Sequence, residues 1–247
     1  MTPGIPKIIH YCWFGRKPLP RKAQKYIESW KKFFPDYDVR QWDEDNFNVN
    51  MIPYTREAYA AGKYAFVSDY ARYWILFHYG GIYFDTDVEV IASFDDIVAN
   101  GPFFGIEKDR EMISVAPGLG MGTMPGMAFC KDMMNVFEEW NLSGTIIEHP
   151  SCQHRPVPAI LIEETTALME KNGFRRENLF QHVAGFNIYP CDFFDPLDDY
   201  TGKMYVTTNT RSIHHYAKSW MSNYTPLRDR AAKLYHRLQT LITQMKK

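Results

Sequence analysis

Residues 1–42 show a strand–helix–strand pattern, and this pattern constrains the fold more than any other feature of the chain. Residues 7–14 are an apolar and aromatic run typical of a buried strand, and residues 37–42 alternate between polar and apolar side chains. Between them, residues 21–34 are predicted as a helix that ends before Pro35. A β-α-β unit builds a parallel sheet whose ligands bind at the carboxyl ends of the strands. We therefore predict an α/β fold with a central, mostly parallel sheet flanked by helices.

The composition is that of a folded protein of 247 residues, with 45% hydrophobic and 23% charged residues. A formal net charge of -1 argues against a nucleic-acid partner, because binding the phosphate backbone needs an excess of Lys and Arg. No stretch resembles a signal peptide or a membrane span. Cys12, Cys130, Cys152 and Cys191 form no CxxC pair, which favours reduced thiols. We expect a cytoplasmic protein.

The acidic triplet Asp85-Thr86-Asp87 is the clearest candidate for chemistry. It follows a helical pattern over residues 56–78 with a break near Gly62, then two glycines and a short apolar strand, and a second strand follows it. Two carboxylates at i and i+2 can point at one divalent cation and leave positions free for phosphate oxygens. A turn with two solvated aspartates is the alternative, but its neighbours would be polar. The context favours a ligand site.

The remainder of the chain is predicted as mixed elements. Residues 103–107 are predicted as a strand, residues 131–140 and 158–172 as helices, and residues 204–216 as a last strand. The Gly- and Met-rich residues 117–126 fit neither periodicity and are predicted as a loop. We expect residues 112–180 to form a variable region that faces an acceptor.

Residues 225–247 form a predicted basic amphipathic helix, with Leu227, Ala231, Leu234 and Leu238 at helical spacing. Two uses stay open for this apolar stripe. One is a peripheral contact with the anionic inner face of a membrane. The other is coverage of the domain core.

Residues 64–90 resemble the signature of glycosyltransferase family 32, the DXD sugar-binding enzymes, which include bacterial enzymes of capsular and other surface polysaccharides. Residues 5–15, 188–194 and 213–220 resemble the opening strand, a later segment and the closing motif of that family. The resemblance implies a GT-A type fold over residues 1–224. It also implies a nucleotide-sugar donor and a divalent cation, Mn²⁺ or Mg²⁺.

The resemblance implies a role for individual residues around the acidic triplet. Asp85 and Asp87 match the motif that contacts the sugar, the ribose and the metal, with Asp87 as the direct metal ligand. Asp69 and Arg72, which share a helix face, match residues that hold the donor hexose. A buried ion pair with only a structural role is the alternative for these two residues.

Further residues of the implied donor site lie near the two ends of the matching region. Trp13 matches an aromatic residue that stacks on the nucleotide base, and core packing is the alternative for it. His215 matches a further metal ligand, although the neighbouring His214 can take that role instead. Ser219 and Trp220 match a closing segment that contacts the diphosphate and excludes water.

These expectations together describe a metal-dependent retaining hexosyltransferase. The resemblance implies UDP-galactose or UDP-glucose as the donor and an oligosaccharide or lipid-linked glycan as the acceptor. The resemblance also implies retention of the anomeric configuration. Because the sequence offers no placed carboxylate nucleophile on the far face of the sugar, we expect front-face attack, with Glu107 as a candidate helper. A metal-dependent phosphohydrolase and a catalytically inactive carbohydrate-binding protein are the alternatives.

Overall fold

The computed structural model describes residues 4–143, 146–148, 157–218 and 225–245. The helices are α1 (Arg21–Phe33), α2 (Pro53–Ala60), α3 (Tyr64–Tyr79), α4 (Asp95–Ala99), α5 (Ala128–Glu138), α6 (Val157–Lys171), α7 (Cys191–Phe194) and α8 (Pro226–Met245). The strands are β1 (Ile8–Cys12), β2 (Asp38–Trp42), β3 (Gly81–Tyr83), β4 (Val88–Val90), β5 (Phe103–Asp109), β6 (Met112–Thr123), β7 (Asn141–Ser143), β8 (Ile146–Glu148), β9 (Gln181–Val183), β10 (Phe186–Tyr189), β11 (Leu197–Asp198), β12 (Lys203–Met204) and β13 (Ser212–His214).

A seven-stranded sheet forms the centre of the described part of the chain, in the order β2-β1-β3-β6-β5-β10-β9. β2, β1 and β3 are mutually parallel, β6 runs against both of its neighbours, β10 is parallel to β5, and β9 is antiparallel to β10. Five of these seven strands therefore run in one direction. The predicted α/β class with a mostly parallel central sheet is confirmed.

Alternating side chains of the strands bury one apolar cluster on each face of the sheet. In β1, Ile9 and Tyr11 belong to the cluster that packs beneath α1, whereas Cys12 belongs to the cluster that contains α2, α3 and α5. Trp30 of α1 is fully buried and donates from Nε1 to the carbonyl of Val88, a contact of 2.8 Å. The helices thus form a layer on either side of the sheet, and α1 also supports β4.

The predicted loop over residues 117–126 is wrong for most of its length, because β6 continues to Thr123. Glycine is needed here because neighbouring strands leave no space for side chains. A Cβ atom on Gly122 would lie 2.3 Å from the ring of Phe103. Periodicity failed because both faces of this strand are buried, so its residues do not alternate between polar and apolar.

The predicted last strand is shorter than residues 204–216. It is divided into β12, which pairs with β11, and β13, which pairs antiparallel with β4 outside the central sheet. Arg211 donates to the carbonyls of Thr208 and Asn209 in the intervening turn. β13 therefore carries the final segment of the domain back to the turn that contains the acidic triplet.

α8 is attached to the domain by polar contacts. Lys233 lies 2.8 Å from Asp199, and Asp229 lies 2.8 Å from Lys218. Arg237 donates 2.6 Å from Nη2 to the carbonyl of Gly202. Among the described residues, no helix combines the length and the hydropathy that are needed to cross a bilayer.

Candidate functional site

Asp85 and Asp87 lie in the turn between β3 and β4, at the carboxyl edge of the central sheet. The chain enters β3 through two glycines with positive φ, 60° at Gly80 and 97° at Gly81. A Cβ atom on Gly81 would lie 2.6 Å from the carbonyl oxygen of Ile8, so only glycine allows β3 to pair this closely with β1. The two glycines thus end α3 and set the position of the acidic turn.

Arg72 of α3 connects two carboxylates of the site. Its Nη2 donates to Oδ1 of Asp69 at 2.7 Å and lies 3.2 Å from Oδ1 of Asp85. The side chains of Asp69 and Arg72 are both 5% exposed, which means that water does not screen this pair. Burial raises the pKa of Asp69, and the charge of Arg72 opposes that rise. α3 therefore presents a desolvated ion pair to the acidic turn.

One oxygen of this ion pair has no partner in the part of the chain that the structure describes. Oδ2 of Asp69 is buried and accepts no hydrogen bond, although a buried carboxylate oxygen is costly to leave unsatisfied. A hydroxyl group of a bound ligand would satisfy it. This orphaned oxygen favours the predicted hexose contact over a purely structural ion pair.

Asp87 is held by the end of β13 and by the segment that follows it. Its Oδ1 lies 3.2 Å from Nε2 of His214, and its Oδ2 accepts a hydrogen bond of 2.7 Å from the backbone amide of Ala217. Burial raises the pKa of Asp87, but the charge and hydrogen bond of His214 outweigh it and lower the value to about 2. Burial lowers the pKa of His214, and the charges of Asp87 and Asp85 raise it to about 9. Asp87 is therefore ionised at neutral pH.

The donor atoms of Asp85, Asp87 and His214 fit a small divalent cation. One ligand atom from each of the three lies within 4.8 Å of the others, and all three side chains are partly buried. Two carboxylates and one imidazole suit Mn²⁺, and the carboxylates suit Mg²⁺. A cation here needs His214 in its neutral form, so cation binding competes with protonation of that ring.

His215, the predicted ligand, lies apart from this group. Its Nε2 contacts Oε2 of Glu89 at 2.8 Å, and its ring stacks on Tyr26 with centroids 4.6 Å apart. Its backbone amide donates to the carbonyl of Asp87, so the residue supports the turn from outside. The structure brings the alternative residue, His214, to the acidic pair.

The remaining predicted donor contacts lie at the edges of the site or outside the described residues. Trp13 follows the carboxyl end of β1, is half-buried, and donates from Nε1 to the carbonyl of Lys17. This position leaves part of the ring accessible at the correct edge of the sheet. Ser219 and Trp220 lie outside the described residues.

Two contacts of Asp85 were not expected from the sequence. The hydroxyl of Tyr83 donates to Oδ1 of Asp85 at 3.2 Å. Gly118 of β6 lies so close that a Cβ atom there would be 2.6 Å from Oδ2 of Asp85. The two-residue spacing of Tyr83 and Asp85 could have suggested the first contact. Gly118 has no comparable signal, because only the pairing of β3 with β6 brings it to Asp85.

Glu107 faces a cleft of about 270 Å³ next to the metal-binding group. The walls of this cleft come from the end of β5, the turn at Asp199, the segment after β13 and α8. Burial and the charge of Asp195 raise the pKa of Glu107 to about 8. The ring of Tyr216 lines the cleft and lies 4.3 Å from the ring of His214. Tyr216 therefore contacts His214 of the metal-binding group and also lines this cleft.

Comparisons with known proteins agree with this site. Residues 20–104 match a family model described as a glycosyltransferase sugar-binding region containing a DXD motif. An uncharacterized glycosyltransferase of Acanthamoeba polyphaga mimivirus is 38% identical over 116 residues, 44% of this chain and 46% of the relative. Inositol phosphoceramide mannosyltransferase 3 of Schizosaccharomyces pombe is 33% identical over 99 residues, 38% of this chain and 28% of the relative. The chain thus spans less than half the length of both relatives.

Among solved structures, the chain is similar to the PaToxG glycosyltransferase, with a TM-score of 0.44 and 19% identity. The alignment covers 53% of this chain and 60% of that chain. The family match is the more informative comparison, because its residues include Asp69, Arg72, Asp85 and Asp87. The segment that builds the acidic turn and its ion pair thus matches the DXD-containing sugar-binding region of glycosyltransferases.

Proposed function

We propose that the protein is a metal-dependent, retaining glycosyltransferase that moves a hexose from a nucleotide-sugar to a carbohydrate acceptor. The convergence of Asp85, Asp87 and His214 beside the Asp69–Arg72 pair carries this proposal. All of them lie at the carboxyl edge of a mostly parallel sheet, where α/β proteins bind nucleotides. The site therefore has both a cation position and a hydroxyl-binding position.

The protein side chains divide the work of such a reaction. Asp85, Asp87 and His214 would hold the cation, which neutralises the charge that grows on the departing diphosphate. Asp69 would accept a hydrogen bond from a hydroxyl of the donor hexose, because its Oδ2 is buried and unpartnered in the described structure. Arg72 keeps Asp69 and Asp85 in a fixed relation, and Trp13 would stack on the base. Such positioning is a large part of group-transfer catalysis.

The donor and the biological setting are proposals from the family resemblance. UDP-galactose and UDP-glucose are the proposed donors, and a mannosyl donor competes with them because four relatives are named mannosyltransferases. The acceptor is a glycan, free or lipid-linked, for a capsule or another surface polysaccharide. We place the protein in the cytoplasm, at the inner face of the membrane.

Donor turnover tests this function. Purified protein is incubated with Mn²⁺ and each of UDP-galactose, UDP-glucose and GDP-mannose, and release of nucleoside diphosphate is measured. Asp87→Asn should lower turnover on the order of a hundredfold, because a metal ligand is lost. Asp36→Asn is the matched control, since Asp36 is exposed and precedes β2 at the opposite edge of the sheet.

The product also separates the competing functions. Retention of the anomeric configuration is expected by NMR of the transferred sugar. Release of phosphate from nucleotides that is faster than transfer of sugar to any acceptor would favour the phosphohydrolase. Sugar binding that needs neither metal nor nucleotide would favour the carbohydrate-binding protein.

A further inference from the structure

α8 has two opposite faces with different environments. Asp229, Lys233, His236 and Arg237 are partly buried and lie on the face toward the domain. Leu227, Leu234, Tyr235 and Leu238 are 79%, 59%, 57% and 52% exposed. Helical spacing places these two sets on opposite sides of the helix. We call the second set the apolar stripe of α8.

The apolar stripe does not cover the core of the domain. The face that docks on the domain is mainly polar. Its contacts include ion pairs such as Lys233 with Asp199, and the ring of His236 stacks on Tyr200. An exposed row of leucines on a helix is costly in water and indicates an interaction surface. The sequence left two uses open for this stripe, a membrane contact and coverage of the core. The packing of α8 disfavours coverage of the core.

The charges beside the apolar stripe identify its partner. Arg228 and Arg230 are exposed and lie on the two flanks of the stripe, and neither forms an ion pair within the described residues. A symmetric contact with a second copy would bring the same basic flanks together. An anionic lipid surface instead takes up the leucines and attracts both guanidinium groups.

The same helix forms a wall of the cleft that contains Glu107. Asp229, Ala232, Lys233 and His236 line that cleft from the docked face. A surface that holds the apolar stripe would thus lie one helix diameter from the cleft, about 10 Å. This distance suits an acceptor whose sugar enters the cleft while its lipid stays in the membrane.

We propose that α8 lies on an anionic membrane through its apolar stripe and thereby holds the cleft at the lipid surface, ready for a lipid-linked acceptor. The membrane contact is inferred from the two different faces of the helix and from Arg228 and Arg230, which form no ion pair among the described residues. Only the lipid-linked acceptor rests on the proposed function. The contact can therefore be tested without catalysis.

Vesicle flotation of the full chain tests the proposal, with no donor present. The wild type should float with phosphatidylcholine vesicles that contain phosphatidylglycerol, and much less with pure phosphatidylcholine. Leu234→Glu with Leu238→Glu should lower the partition coefficient at least about tenfold. Arg228→Ser and Arg230→Ser should each lower it about fivefold, and added salt should weaken the wild type.

The controls separate a lost contact from a lost fold or a lost activity. Leu179→Glu with Phe180→Glu makes the same change at two residues that are 58% and 55% exposed outside α8, and it should float like the wild type. The α8 variants should keep the wild-type melting temperature, because their side chains are exposed. Asp87→Asn should float normally, so an inactive enzyme does not affect the result.

Three results would overturn the proposal. The first is a wild type that stays unbound at low salt, and the second is stripe variants that still float. The third is a wild-type dimer, measured by analytical ultracentrifugation, that Leu234→Glu with Leu238→Glu dissociates while vesicles bind neither protein. That third result would assign the stripe to another copy of the chain.

Discussion

At the scale of single residues, the site depends on where a few polar atoms lie relative to Asp85 and Asp87. Arg72 contacts Asp85 from one side, and His214 contacts Asp87 from the other. Neither contact follows from local sequence, since Arg72 lies on α3 and His214 on β13. A single substitution can therefore remove either contact and leave the other in place.

The two adjacent histidines should differ in metal affinity. His214→Gln removes a nitrogen beside Asp87 and should weaken Mn²⁺ binding by about tenfold or more, because even residues that only orient metal ligands contribute that much. His215→Gln removes a contact to Glu89 and should have a small effect. Isothermal titration with Mn²⁺ measures both. A larger loss for His215→Gln would contradict the assignment and restore His215 as the ligand.

Gly118→Ala should reduce donor turnover without unfolding the protein. The new methyl group would lie 2.6 Å from Oδ2 of Asp85, so that carboxylate must move away from its position. A displacement of this size at a reacting site costs on the order of tenfold to a hundredfold in kcat/KM. Gly4→Ala is the control, because a Cβ there meets no atom within 4 Å. Unchanged kcat/KM would mean that Asp85 tolerates the shift.

Glu107 should affect transfer to an acceptor and leave donor hydrolysis within about twofold. Its carboxyl group faces the cleft and forms no hydrogen bond or ion pair among the described residues, so it is free to accept a hydrogen bond from an acceptor hydroxyl. Its raised pKa, about 8, means that it is protonated below that pH and ionised above it. The rate of transfer should therefore rise with pH through about 8 in the wild type, and Glu107→Gln should lack this rise. Identical pH profiles would exclude Glu107 from the acceptor step.

At the scale of secondary-structure elements, His10 links β1 to the end of α3 and to β2. Trp42 donates from Nε1 to Nδ1 of His10, which leaves Nε2 to carry the proton and donate to the carbonyl of Gly80. The ring is fully buried, and burial lowers its pKa from 6.5 to about 4. The neutral histidine thus fixes the turn that precedes β3 and the acidic residues.

This buried histidine predicts a loss of stability in acid. Unfolded His10 binds a proton below about pH 6.5, whereas folded His10 stays neutral until about pH 4. Protonation therefore favours the unfolded chain, and the free energy of unfolding should fall as the pH falls through this window, by up to about 3 kcal/mol. Urea unfolding at several pH values measures it. His10→Gln should show a shallower slope, and an equal slope would show that other groups cause the acid sensitivity.

At the scale of the whole molecule, the proposed donor site joins segments that are far apart along the chain. Residues of α3, the turn before β4 and the end of β13 contribute to it, and Trp13 lies directly after β1. A ligand that contacts several of these segments binds only the folded chain and stabilises it by mass action. Thermal stability therefore reports on the completeness of the site.

UDP and Mn²⁺ together should raise the melting temperature. At about 100 times the dissociation constant, a ligand adds about 2.7 kcal/mol, which is roughly 5–10 °C for a chain of this size. Differential scanning fluorimetry with UDP, GDP and each nucleotide without metal measures the shift. Asp87→Asn should lose the metal-dependent part. A shift with GDP and Mn²⁺ but not with UDP and Mn²⁺ would reassign the donor nucleotide. The absence of any metal-dependent shift would contradict the proposed function.

The sequence was sufficient to predict those secondary-structure elements that a local pattern of residues specifies. The strand–helix–strand opening, the break near Gly62 and the acidic turn between two short strands were all predicted and are present. The prediction failed at residues 117–123, where burial on both faces removes the alternation that identifies a strand. Periodicity reports on contact with water, so it carries no information about a strand that water does not reach.

The amino-acid sequence by itself determined the α/β class and the candidate pair Asp85 and Asp87, because these depend on patterns within short continuous segments. The resemblance of residues 64–90 to a known family added Asp69 and Arg72 as candidates. Only the tertiary structure decided that His214 rather than His215 contacts Asp87, that Gly118 borders Asp85, and that Leu227, Leu234 and Leu238 point away from the core. These three outcomes depend on contacts between residues far apart in the chain. The register and docking of whole elements set such contacts, and spacing along the sequence does not encode them.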